Sequence, residues 1–105
     1  MERIETTAIR NLIHNEEYCR KVLPFIKEEY FTDRLEKLIF TQIYEFVNKY
    51  NNLPTKESLS IEMNSNKSVS EDEYKRMNEI ISSLNPEPIN LDWLVETTEV
   101  WCKDR

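Results

Sequence analysis

The chain has 105 residues, none of them glycine, and a net charge of −6. Average usage is about 7% glycine, so roughly seven are expected in this length; without them a phosphate-cradling P-loop, a dinucleotide-binding turn, a nucleophile elbow and a tight primed hairpin all lose the residue they depend on. The acidic balance disfavours direct binding to the DNA backbone, and 39% hydrophobic residues is too much apolar mass for a disordered segment.

The charge is uneven. Residues 1–52 carry 8 basic and 9 acidic side chains, and residues 53–105 carry 6 and 11, giving −1 and −5. Such a surface suits a basic protein partner. The length suits one domain, residues 1–105.

Taken in order, residues 3–14 place Ile4, Ala8, Ile9, Leu12 and Ile13 on one helical face. Asn15 reads as an N-cap, with Glu16 and Glu17 in a first turn that favours negative charge. Pro24 cuts that second helix short. Phe25, Ile26, Tyr30 and Phe31 then form an aromatic cluster expected under the next helix.

Thr32 or Asp33 caps the strongest helix, in which Leu35, Leu38, Ile39, Gln42, Ile43, Phe46, Val47 and Tyr50 follow i, i+3, i+4 spacing. Asn51-Asn52 ends it, Asn being the second choice for a left-handed cap where glycine is missing, and Leu53-Pro54 is a hard stop. Thr55 caps a short helix carrying Leu59 and Met63; Asn64 to Ser68 is a polar loop and the expected mobile segment.

Ser70 with Glu73 is a capping box, ahead of a helix that buries Tyr74, Met77, Ile80, Ile81 and Leu84. Asn85-Pro86-Glu87-Pro88 is a rigid connection. Asn90 caps the last helix, in which Leu91, Leu94, Val95, Thr98 and Cys102 form a stripe flanked by Trp93 and Trp101. That helix, 91–105, has no stop signal, so a chain cut from a longer one is expected. The fold class is therefore all-α, a bundle of about six helices with no sheet.

No catalytic constellation stands out. His14 is the one histidine, and its spacing to Glu17 and Cys19 puts at most two groups on one helical side, so it reads as a surface or helix-end residue rather than a ligand. Glu28-Glu29 and Glu71-Asp72-Glu73 read as solvated, cap-favouring acids rather than a general acid/base pair, which needs separated environments. Basic residues are scattered, without the stripe a nucleic-acid platform needs. A helix-turn-helix would need a basic recognition helix, and the helix after Thr55 offers Lys56 alone.

Cys19 and Cys102 read as two thiols in a reducing compartment, not as a disulfide scaffold. No run approaches the ~20 apolar residues of a membrane span. With no signal-peptide character at Met1-Glu2-Arg3-Ile4-Glu5, the expected location is cytoplasmic.

Phe31, Phe40, Phe46 and Tyr44 fit core or near-core positions. Trp93 and Trp101 lie eight apart and read as pointing roughly the same way, either into the core or as half-exposed interface anchors, where Trp is enriched.

The order of residues then becomes informative. The run Asn11-Leu12-Ile13, Tyr18, Lys21-Val22, Pro24 and Glu29-Tyr30-Phe31 resembles the start of the replicative helicases of T-even-type bacteriophages. So do Val47-Asn48-Lys49-Tyr50 with Leu53-Pro54-Thr55, and the closing Asp92-Trp93-Leu94-Val95 with Thr98-Glu99 and Arg105. The broader DnaB-like helicase family shares the helical order and the aromatic before the long third helix, here Phe31 and then Leu38-Ile39-Phe40.

The resemblance implies the N-terminal collar domain of a hexameric, ATP-driven helicase. It implies self-association, as a dimer or within the collar, and contacts to primase and helicase loader, in a bacterial host's cytoplasm. No direct DNA binding by this domain is implied. ATP, Mg and the Walker motifs belong to the family's C-terminal motor, so no catalytic, cofactor-binding or metal residue carries over to this chain. The interface candidates are Trp93, Val95 and Trp101, and Trp101→Ala is expected to change association more than folding. The alternatives are a stand-alone small helical phage adaptor or loader, and a helix-turn-helix regulator.

Overall fold

A computed structural model describes residues 2–105, and it contains six α-helices in chain order: α1 Ile4–His14, α2 Glu16–Val22, α3 Arg34–Tyr50, α4 Lys56–Asn64, α5 Glu71–Ser83 and α6 Leu91–Lys103. A 3-10 turn at Glu28–Tyr30 precedes α3, and no strand occurs among the described residues. The all-α expectation is met.

Short polar side chains start the helices. Asn15, Asp33, Thr55, Ser70 and Asn90 each accept a hydrogen bond from the backbone N–H three residues on. This satisfies a donor that the helix itself leaves unpaired, an effect of about 1 kcal/mol per cap. Asp33 rather than Thr32 caps α3. The Ser70–Glu73 capping box is present, and a second box forms between Thr55 and Ser58. Asn51 ends α3 with φ 55°, the left-handed conformation usually left to glycine. Arg20 holds that cap from α2, donating to the Asn51 carbonyl at 3.1 Å and to its side-chain oxygen at 3.2 Å.

The helices form two groups. α1 packs on α2 and α6, and α2 packs on α6; α3 packs on α4 and α5, which pack on each other; α1 joins the groups by lying against α3. Ala8, Ile9 and Leu12 of α1 join Ile39 and Ile43 of α3 in one continuous core, which Tyr18 and Val22 extend to α2 and Met63, Met77, Ile81 and Leu94 to α4, α5 and α6.

Charged contacts then tie helix ends together. Lys56 at the start of α4 donates to the Ser82 carbonyl at 3.1 Å and to Asn85 Oδ1 at 3.0 Å, placing a cation at the negative end of α5. Arg34 at the start of α3 reaches Glu73 at 2.8 Å and the Ser68 carbonyl at 3.3 Å. The Glu36 carboxylate is buried, held by Arg3 at 2.7 Å and by the Thr6 hydroxyl at 3.0 Å.

Some expectations are corrected. Tyr50 was expected in the apolar stripe of α3 but is exposed, its ring leaning on Phe46 at 4.7 Å. Tyr44 is exposed as well. Leu84 is buried, but as the residue that ends α5 rather than within it. Asn64, expected in the polar loop, is instead the last residue of α4; in the turn that follows, Asn66 Oδ1 accepts from the Ser68 backbone N–H at 2.9 Å and from its hydroxyl at 2.7 Å.

Candidate protein interface

Helix α6 carries the three expected interface residues. Asn90 starts it by accepting from the Trp93 backbone N–H at 2.9 Å. Its inner face is fixed by Leu94, Thr98 and Trp101. Thr98 donates to the Leu94 carbonyl at 2.7 Å, so its oxygen is left to accept, and the Tyr18 hydroxyl sits 2.8 Å away. Both residues are fully buried, so this bond fixes α2 against α6. Burial pushes the Tyr18 phenol well above its usual pKa, so it stays a donor.

Trp101 is a core residue. It is 7% exposed and meets Phe31 edge-to-face at 5.2 Å and Tyr30 at 6.2 Å. Phe31 in turn stacks on Phe40 at 4.9 Å, so the aromatic cluster foreseen beneath α3 also reaches α6. Its indole Nε1 is buried without an acceptor. The expectation of Trp101 as an interface anchor is corrected by this placement, and so is its shared direction with Trp93. Eight residues at about 100° each overshoot two turns by about 80°, enough to bury one indole and expose the other.

Trp93 is 53% exposed. Val95 is half-buried and packs against the core, so it turns inward with Leu94. Val100 was not singled out in the sequence, yet it is 59% exposed, seven residues after Trp93. The i, i+7 spacing was the signal that would have found it.

Other surfaces are less directed. A groove of about 670 Å³ between α2 and α3 is lined in part by Leu23, Pro24, Tyr44, Val47 and Leu53. Pro24 and Tyr44 also border a smaller neighbour of about 290 Å³. Neither brings together groups that suit acid–base or nucleophilic chemistry. His14 sits at the end of α1 with Nε2 2.5 Å from the Leu84 carbonyl. A carbonyl only accepts, so Nε2 carries the proton. Among the described residues no three His, Cys, Asp or Glu side chains gather as a metal site, and no helix is long and apolar enough to cross a membrane.

Cys19 and Cys102 are free thiols, each pushed up to about 11 by burial. Lys56, the one base available to a helix-turn-helix reading of α4, is engaged in capping α5.

No family model matches the chain. Over 97 residues, 92% of its length, it is 33% identical to a "DnaB-like replicative helicase" of Enterobacteria phage T4. The chain is thus related to a phage replicative helicase. It spans 20% of that relative's length. The resemblance read from the order of short motifs is borne out by this match.

Proposed function

We propose that this chain is the N-terminal assembly part of a phage replicative helicase, supporting the hexameric collar and meeting primase and helicase loader. The observation that carries the reading is the proportion of the match: nearly all of this chain, but one fifth of the helicase it resembles. One fifth is the size of an accessory domain, and a sequence without glycine cannot supply the Walker A cradle. ATP and Mg would therefore be handled by a motor domain elsewhere in the parent, and these 105 residues would act by binding proteins in the host cytoplasm. The negative balance, concentrated after residue 52, supports protein partners over direct contact with DNA phosphates.

The test is to read the gene beyond the codon for Arg105. A G-x-x-x-x-G-K-[ST] within roughly the next few hundred codons supports the helicase reading. An immediate stop codon overturns it in favour of a stand-alone adaptor.

A further inference from the structure

Helix α6 has two apolar sides. Its inner side is spent on the core through Leu94, Thr98 and Trp101. Trp93 and Val100 stand on its exposed flank, about 80–100° round the helix from Trp101, seven residues apart and so within about 20° of one line along the helix. A helix whose polar face is interrupted by an exposed Trp and a Val presents a second surface for burial.

Charge decides what covers it. Asp92, Glu96, Glu99 and Asp104 are exposed on or just beyond this helix, against two exposed cations, Lys103 and Arg105, of which Arg105 is paired with Glu5. Elsewhere Glu2, Glu5, Glu16, Glu17, Glu36, Glu73 and Glu87 lie in ion pairs. Among the described residues none of the four carboxylates around α6 has such a partner. A second copy docked here would bring two such acidic borders together, and like charges across an interface oppose docking. A DNA strand or an anionic lipid surface is repelled for the same reason.

We propose that the Trp93–Val100 face of α6 is the docking site for a basic amphipathic helix of a partner protein. Apolar positions of that helix, at i, i+3, i+4 and i+7, would cover Trp93 and Val100, and Lys or Arg side chains along its border would pair with Asp92, Glu96 and Glu99, which lie together on one side of that line. Arg is especially suited, because its guanidinium also stacks on the exposed indole face. This inference rests on the assembly reading above and names the surface and partner chemistry within it.

The chain's two tryptophans provide the readout. The probe is a synthetic amphipathic helical peptide with Leu on one face and Lys on the borders, titrated into the 105-residue chain while the two indole N–H resonances are followed by NMR. The expected result is that the Trp93 signal and the amides of Glu96 and Val100 move, while the buried Trp101 indole stays. Trp93→Ala, and the pair Glu96→Gln with Glu99→Gln, should each weaken binding by about tenfold or more. A Glu-bordered version of the peptide should not bind.

Shifts centred on Glu71 and Asp72, or binding untouched by Trp93→Ala, would overturn the proposal. Self-association that Trp93→Ala abolishes, with no peptide binding, would assign the face to a second copy and also overturn it. If cognate primase and loader bind wild type and Trp93→Ala equally, the docking face fails while the assembly reading stands. If the peptide docks at Trp93 but neither protein binds, the face stands and the assembly reading fails.

Discussion

The Tyr18 hydroxyl lies 2.8 Å from Thr98 Oγ1, eighty residues away in sequence and fully buried on both sides. Thr98 gives its own proton to the Leu94 carbonyl, so Tyr18 is the donor. The bond is therefore asymmetric, and the two deletions should differ. Tyr18→Phe leaves only an acceptor lone pair unfilled and should cost about 1 kcal/mol. Thr98→Val strands a buried O–H and should cost more, about 1–3 kcal/mol. Chemical denaturation of both single variants and the double variant checks this; the double should be less destabilised than the sum of the two.

Trp101 and Trp93 should separate folding from association. Trp101→Ala empties a core site beside Phe31 and should cost about 3–5 kcal/mol. Trp101→Phe should cost less than the alanine variant, because it empties a smaller volume and the indole N–H has no acceptor to lose. Trp93→Ala should leave stability within about 0.5 kcal/mol of wild type, as for other exposed positions. Thermal melts of the three variants test the assignment; a large loss for Trp93→Ala would contradict it.

Much of this architecture is local and was readable in the sequence. An N-cap needs one short side chain and the amide three residues on, so Asn15, Ser70 and Asn90 announce their helices without knowledge of the rest of the fold. Asn51 likewise marks its own left-handed turn. What the sequence hid is set by long-range packing. The 3-10 turn at Glu28–Tyr30 sets Tyr30 and Phe31 beside α6, and that contact decides which tryptophan is core. Helical spacing gives the angle between Trp93 and Trp101 but not the direction in which the core lies. Lys56 read as an isolated base until its partners at the end of α5, 26 and 29 residues away, were in place.

Acid should weaken the junction between α3 and α5. Arg34 and the Ser70 backbone N–H hold the Glu73 carboxyl down to about 2, against an ordinary 4.5. A depressed carboxylate contributes its stability above the unfolded value and loses it as pH falls toward the folded one. The stability gap between wild type and Glu73→Gln should therefore be constant above about pH 5 and close between about pH 4.5 and 2. The pair is solvent-exposed, so high salt should narrow the gap at neutral pH. A gap that persists at pH 2 would contradict the assignment.

The thiols should be quiet. With both pushed up to about 11, about one molecule in a thousand carries a given thiolate at pH 8. Native alkylation with iodoacetamide should be far slower than for a free cysteine, and unfolding should expose two reactive groups. Cys19 is buried and Cys102 only partly so, bordering a surface pocket with Phe25 and Tyr30, so native labelling should reach Cys102 before Cys19; the reverse order would contradict this placement.

The central claim is that this chain works by binding replication proteins. Light scattering behind size exclusion, run on the chain with its cognate primase and separately with its cognate loader, tests that most directly. The account predicts a complex with at least one of them, weakened by Trp93→Ala. A chain that stays at its own 12.7 kDa in the presence of both would contradict it.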